Sequence, residues 1–284
     1  MQKRHTDRKS YFDELSLTSE HHFLPYIEQF APVDNRRVLE IGCGEGGNLA
    51  PFARRGCSVT GIDISENRIR EAHRFFGEEA LEGTFIARDI FSMPDAARQK
   101  SHSDGQSPSA EEQFVSLEQP FDIILIHDVI EHITDKYKLL NYTRRFLAPD
   151  GVLFVSFPAW QMPFGGHQQI CRNKIVSHLP FIHLLPTPLY RGLLRMAGES
   201  DPRIDELLDI SRCRTSIEQF ERLVSSTHYQ LVHKRFWFIN PHYKQKFGIS
   251  PRRLWKAIGA MHHLRNYFCT SCFYLLKTDP SKNI

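Results

Sequence analysis

The chain has 284 residues, enough to bury a full hydrophobic core as one large domain or as one domain with a sizeable insertion. Its hydrophobic (41%) and charged (24%) fractions are ordinary for a soluble protein, and a formal net charge of +3 is too small to argue for nucleic acid, which needs basic residues clustered on one face. Six cysteines without a secreted-framework spacing, a polar start without a signal-peptide core and no apolar run of bilayer length lead to the expectation of a reduced, cytoplasmic protein with no transmembrane segment.

Phe23, Ile27 and Phe30 recur at helical spacing and predict one or two helices across residues 11–30, within an N-terminal helical segment over 1–35. "RRVLEIGCGEGG" then reads as a buried strand, 37–41, a glycine loop, 42–47, and the start of a helix running from Asn48 to Arg55. "CSVTGID" is a second strand ending at Asp63, with Ser65 the predicted N-cap of a helix through Ile69 and His73. "GTFIARD" is a short third strand ending at Asp89. Residues 95–113 have almost no large apolar side chain, cannot offset their ordering entropy, and read as a mobile loop. "FDIILIHDVIEH" is near-continuously apolar, as a strand covered on both faces should be, and "KYKLLNYTRRFL" is the helix after it. "VLFVSFP" is the fifth strand. From Ala159 to Ser211 the alternation stops in an apolar, aromatic and histidine-rich insertion with several prolines. A helix "TSIEQFERLVSS", a sixth strand "YQLVHKRFWFI", a helix over 251–264 and a seventh strand "FCTSCFYLLK" complete the pattern; Cys269 and Cys272 in the last read as core packing.

Strands alternating with helices across short turns indicate an α/β open parallel sheet, in which ligands bind beyond the carboxyl ends of the strands. Residues 36–158 form the cofactor-binding core, 159–211 a lid or substrate insertion, and 212–284 the rest of the same core. The polar residues at the strand ends are Glu40, Asp63, Asp89, His127 and Asp128. Gly42-x-Gly44-x-x-Gly47 with Asp63 downstream matches the dinucleotide fingerprint, which leaves two ligand classes. A dinucleotide sets a pyrophosphate at the helix N-terminus, where the Glu40 carboxylate would repel it. S-adenosylmethionine brings an ammonium and a sulfonium, and both favour a carboxylate in a low-dielectric cleft.

Taken in order, "VLEIGCGEGG", "GIDIS", "ARDI", "FDIILIHDVIEHI" and "LAPDGVLFVS" resemble the class I S-adenosylmethionine-dependent methyltransferases, most of all the small-molecule branch that includes the quinone-biosynthesis O-methyltransferases. The resemblance covers residues 36–158 and returns more weakly over 215–277. It implies a Rossmann-like, seven-stranded, mostly parallel sheet with helices on both faces and a helical or irregular lid after strand five. It places Glu40 at the methionine amino group, Gly42, Cys43 and Gly44 along the methionyl part, Asp63 on the ribose hydroxyls, Ile64 and Ile90 against the adenine, Asp89 at its exocyclic amine, and His127 near the reactive methyl.

If the acceptor is a hydroxyl or phenol, a histidine base helps; the candidates are His127, Asp128, Glu131 and His132 after strand four and His167, with His167 and His132 favoured. Glu131 and His132 read as the head of a helix, and His167 follows a flexible Gly165-Gly166 pair. His178 and His183 read as lid packing or solvent-exposed. No metal is expected. The acceptor is a small, apolar or aromatic molecule, or a lipid-like one reached through peripheral membrane contact over 175–196, with Trp160, Phe164, Trp237 and Phe238 suited to line its site. The competing readings are a dinucleotide-dependent oxidoreductase and a non-catalytic protein that kept the fold and binds a membrane surface.

Overall fold

The computed structural model describes residues 7–92 and 119–279, so the loop expected over 95–113 lies outside the described residues. Among the described residues eight strands form one sheet: β1 (Arg37–Ile41), β2 (Ser58–Asp63), β3 (Thr84–Ala87), β4 (Phe121–His127), β5 (Leu147–Phe157), β6 (Tyr229–Ile239), β7 (Arg252–Arg253) and β8 (Ser271–Thr278). Their order is β3-β2-β1-β4-β5-β8-β6-β7. The pairings from β3 to β5 are parallel, and β8 enters antiparallel between β5 and β6. The expected seven strands are therefore eight. The addition, β7, is a two-residue antiparallel edge pair on β6, too short after Pro251 to carry an alternating pattern.

The helices are α1 (Arg8–Thr18), α2 (Leu24–Ile27), α3 (Ala50–Arg54), α4 (Glu66–Glu78), α5 (Lys136–Thr143), α6 (Lys174–His178), α7 (Thr187–Met196), α8 (Asp201–Cys213), α9 (Ile217–Ser226), α10 (Tyr243–Phe247), α11 (Lys256–Ala260) and α12 (Arg265–Phe268). Caps explain several boundaries. Ser65 Oγ accepts from the Arg68 N–H to start α4, and Ser216 with Gln219 closes a capping box on α9. The single helix expected over 251–264 is instead β7, α11 and a turn, because Arg252 and Arg253 find backbone partners on β6.

Side-chain alternation along β1 and β4 divides the core in two. Leu39, Ile41, Ile124 and Ile126 face a cluster with Leu139, Leu140, Phe220 and Tyr274. Val38, Ile123 and Leu125 face the other, with Phe12, Phe23, Tyr26, Phe52 and Phe75 from the N-terminal helices, α3 and α4. Each buried aromatic contributes about 1.5–3 kcal/mol of transfer free energy. The N-terminal helices thus back the glycine loop: a Cβ on Gly47 would lie 2.6 Å from the Phe12 carbonyl, and Ser19 Oγ donates to the Asn48 carbonyl at 2.8 Å. The insertion after β5 has its own small core of Val176, Ile182, Tyr190, Leu194, Ile204 and Leu207.

Candidate active site

β1 ends at Ile41 and turns through Gly42, whose φ is +75° and whose amide donates to the Ile62 carbonyl at 2.7 Å. A Cβ there would sit 2.3 Å from Val129 Cγ2, so the turn requires glycine on both counts. Gly44, also at positive φ, donates its N–H to Asp63 Oδ2 at 2.9 Å, while Asp63 Oδ1 accepts from the Ser65 N–H at 2.9 Å. Asp63 is thereby fixed, almost fully buried, at the carboxyl end of β2. Each oxygen keeps a lone pair for a further donor, which is what a pair of adjacent ligand hydroxyls needs.

Glu40 is fully buried on β1, opposite Gly61 and Leu125. Its Oε1 accepts from Asn48 Nδ2 at 2.7 Å, and its Oε2 has no hydrogen-bond partner among the described residues. Burial drives its pKa up to about 8, the Asn48 hydrogen bond opposes that rise, and the Asp63 charge adds to it. A carboxylate in this state is stabilised by an approaching cation and destabilised further by an anion.

Above the loop lies a cavity of about 750 Å³ at the carboxyl edge of the sheet. Gly42, Cys43, Gly44, Asp63, Ile64, Asp89, Ile90, His127, His132 and His167 all line it. Glu40 does not: it sits behind the wall, and Asn48, which does line the cavity, donates to it over 2.7 Å while its own Oδ1 is buried without a partner among the described residues. Asn48 was not singled out in the sequence, although its place one residue past Gly47, eight from Glu40, was visible. Asp89 is exposed at the rim, with Oδ1 capping the Phe91 N–H, whereas Ile90 is buried. His127 is held by Ser156, Nδ1 to Oγ at 2.9 Å, and lies edge-on to Phe23.

A second chamber of about 320 Å³ adjoins the first, and Tyr11, Asp128 and His167 belong to both walls. Asp128 and His167 are both non-glycine residues at positive φ, a conformation that is strained and concentrates at functional sites. The His132 and His167 rings meet edge-to-face, with centroids 5.0 Å apart. Beside them Glu131 is buried, and neither of its oxygens has a partner among the described residues; burial and then Asp128 raise its pKa well above the carboxylate range. Ligand atoms of Glu131, His132 and His167 lie within 4.8 Å of one another, so these three are the side chains of this site that could close on a cation, where the sequence reading expected none. Tyr11 and Tyr243, which line the second chamber, were also missed, because they come from α1 and α10, remote in sequence from the glycine loop.

Several sequence expectations need correction. Glu131 and His132 do not head a helix: they occupy a single 3-10 turn, Ile130–His132, and α5 begins later under its own cap, Asp135. Gly165 and Gly166 are close-approach glycines rather than a flexible pair, since added Cβ atoms would lie 2.1 Å from the Trp160 carbonyl and 2.2 Å from His183 Cβ. Of the four aromatics suggested for the acceptor, only Phe164 lines the second chamber; Trp160 and Trp237 are core and Phe238 is exposed. His183 and His178 need no correction: His183 packs in the insertion, buried on the Trp160 carbonyl with its pKa lowered by burial to about 4, and His178 is exposed.

The glycine loop, the two-acceptor carboxylate of Asp63 and the orphaned Glu40 oxygen fit S-adenosylmethionine: an ammonium favours ionisation of the buried carboxyl, and no phosphate has to be accommodated. Comparison with known proteins agrees with this chemistry. A family profile described as "Methyltransferase domain" matches residues 16–233. A ubiquinone biosynthesis O-methyltransferase from Caulobacter vibrioides is 34% identical over 127 residues, 44% of this chain and 42% of that one. One from Bartonella tribocorum is 30% identical over 146 residues, 50% of this chain and 51% of that one, so the chain spans about half the length of the curated relatives it matches. Among solved structures, an S-adenosylmethionine-dependent methyltransferase from Clostridium acetobutylicum aligns over 94% of this chain and 92% of its own with a TM-score of 0.53 at 12% identity. Magnesium protoporphyrin IX methyltransferase from Synechocystis aligns over 93% and 82% with a TM-score of 0.50 at 14% identity. With most of its length matched by the family profile and the fold shared with such structures, the chain belongs to the methyltransferase-domain family and has the class I S-adenosylmethionine-dependent methyltransferase fold.

Proposed function

We propose that the protein transfers a methyl group from S-adenosylmethionine to an oxygen of a small apolar or aromatic acceptor held in the second chamber. The observation that carries this reading is the shared wall: Asp128 and His167 border both cavities, so a donor in the larger one opens onto an acceptor in the smaller. The curated relatives, named for O-methylation in ubiquinone biosynthesis, favour a hydroxylated aromatic acceptor.

When bound, the donor supplies a methyl carbon made electrophilic by a sulfonium. The protein's part is orientation, water exclusion and proton removal. Asp63 would accept from both ribose hydroxyls, Asn48 and Glu40 would hold the ammonium, Ile64 and Ile90 would flank the adenine, and Asp89 would accept from its amine. His127, locked by Ser156, would border the methyl. His167 lines both cavities, which supports a role for it as the base that would take the proton of an acceptor hydroxyl held within about 3 Å of the donor's methyl carbon. His132, edge-on to His167, would orient its ring, and the buried Glu131 beside them, its pKa raised by burial, would stay protonated in the free protein.

The test is incubation with isotopically labelled S-adenosylmethionine and a 3,4-dihydroxybenzoate or catechol bearing an apolar tail. Label in an O-methyl ether supports the reading. The absence of S-adenosylhomocysteine binding at millimolar ligand rejects it.

A further inference from the structure

Between Arg222 and Thr278 the chain carries ten Lys or Arg and no Asp or Glu, although the whole molecule is only +3. Two of these cations are neutralised internally. Arg265 is buried and donates to Glu218 and Glu221 at 2.9 Å each, and Lys234 donates to Glu221 at 2.6 Å. The Arg265 bonds pin the excursion between β6 and β8, residues 240–270, onto α9. Of its other cations, Lys244, Arg252, Arg253 and Lys256 are exposed and pair with no carboxylate among the described residues. The Arg253 charge is felt across the edge of the sheet, where, after burial, it helps to lower the pKa values of His233 and Arg235.

Large apolar side chains are interleaved with that charge. Ile249, Met261 and Leu264 are exposed, and Trp255 is 77% exposed, in contrast to the buried Trp160 and Trp237. Tyr267 extends the surface onto the insertion, with its ring 6.3 Å from that of the exposed Phe181. The topology says where this surface lies. The excursion leaves β6 at Ile239 and re-enters at Ser271, and Cys272 pairs with Phe157 at the carboxyl end of β5. It therefore rises from the same edge as the two cavities, and its Lys246 and Phe247 line the smaller one.

We propose that this basic, aromatic edge docks on an anionic membrane surface and sets the mouth of the acceptor chamber at the lipid interface. Tryptophan and tyrosine beside exposed lysine and arginine are the side chains that seat at the headgroup level, and each cation adds attraction to anionic lipid. A single-stranded nucleic acid would use the cations and aromatic rings but leave Ile249, Met261 and Leu264 without a partner. A second copy of the chain would bring like charges face to face.

The proposal is tested without any methyl-transfer assay, on the full chain, by sedimentation with vesicles of phosphatidylcholine alone or with about one-third phosphatidylglycerol. Pelleting with the anionic vesicles at least about tenfold stronger than with the neutral ones supports it, as does a blue shift of tryptophan emission that Trp255→Tyr removes. Arg252→Glu/Arg253→Glu/Lys256→Glu should weaken the anionic partition by about tenfold or more. Its circular dichroism and S-adenosylhomocysteine affinity should match the parent's, which separates loss of docking from loss of fold. Equal binding to neutral vesicles, no pelleting, an unchanged partition in the charge-reversed variant, self-association that excludes vesicles, or tighter binding to an oligonucleotide than to anionic vesicles would each overturn the proposal.

Discussion

Glu40 makes a quantitative prediction about protons. Burial moves its carboxyl from 4.5 to about 8, a rise worth about 5 kcal/mol against the anion. At pH 7 roughly nine in ten unliganded molecules therefore hold Glu40 as the neutral acid. An ammonium placed beside Asn48 favours the anion, so ligand binding at pH 7 should expel close to one proton. Calorimetric titration with S-adenosylhomocysteine in buffers of different ionisation enthalpy reads that proton directly. The released fraction should shrink as pH rises past about 8, where the anion already prevails. Glu40→Gln keeps the shape and the Asn48 contact but cannot ionise: release should vanish and affinity should fall about tenfold to a hundredfold, the worth of a charge-assisted hydrogen bond. The sign for stability follows from the same rise. The folded state holds this proton more tightly than the unfolded chain, so the unliganded protein should lose stability as pH climbs from 4.5 through about 8, and the glutamine variant should lose less. Heats in the parent that do not depend on the buffer would refute the reasoning.

Three further perturbations test the geometry. Gly42→Ala forces a Cβ to 2.3 Å from Val129 Cγ2 at positive φ, which should cost about 2–4 kcal/mol in urea unfolding, and adding Val129→Ala should recover part of it. Asp63→Asn leaves an amide with one acceptor oxygen facing the N–H groups of Gly44 and Ser65; a stability loss of about 1–3 kcal/mol and an S-adenosylhomocysteine affinity lowered at least about tenfold are expected in thermal melts and calorimetry. His167→Ala should lower kcat by about a hundredfold to ten-thousandfold while S-adenosylhomocysteine affinity changes little, and His132→Ala should do the same more weakly; a loss confined to cofactor affinity would remove both from proton transfer.

Periodicity and turn chemistry were enough to read most of the fold. β1, β2 and β4 announced themselves as apolar runs ending in polar residues, and Ser65, with its short polar side chain, marked the start of α4. Where short-range rules were overruled, tertiary contacts did it. Arg252 and Arg253 became an edge strand because β6 offered them partners, and Gly165 and Gly166 were packing requirements of Trp160 and His183 rather than hinges. The carboxylate-and-glycine side of the candidate site was legible because its residues fall at the ends of consecutive parallel strands, which the sheet places side by side.

The other half of the site had no such regularity. Tyr11, Asp128, His167 and Tyr243 reach the second chamber from four separate segments, and no local spacing relates them. The sequence by itself determined a parallel sheet, a glycine turn and a line of acids at its carboxyl edge, because each is a consequence of neighbouring residues. Only the tertiary structure decided that Glu40 sits behind Asn48 with one oxygen unanswered, that His132 meets His167, and that the cations after β6 face outward beside the chamber. Those facts depend on which distant segments pack together, and packing is settled by the burial of the whole core rather than by any one stretch of it.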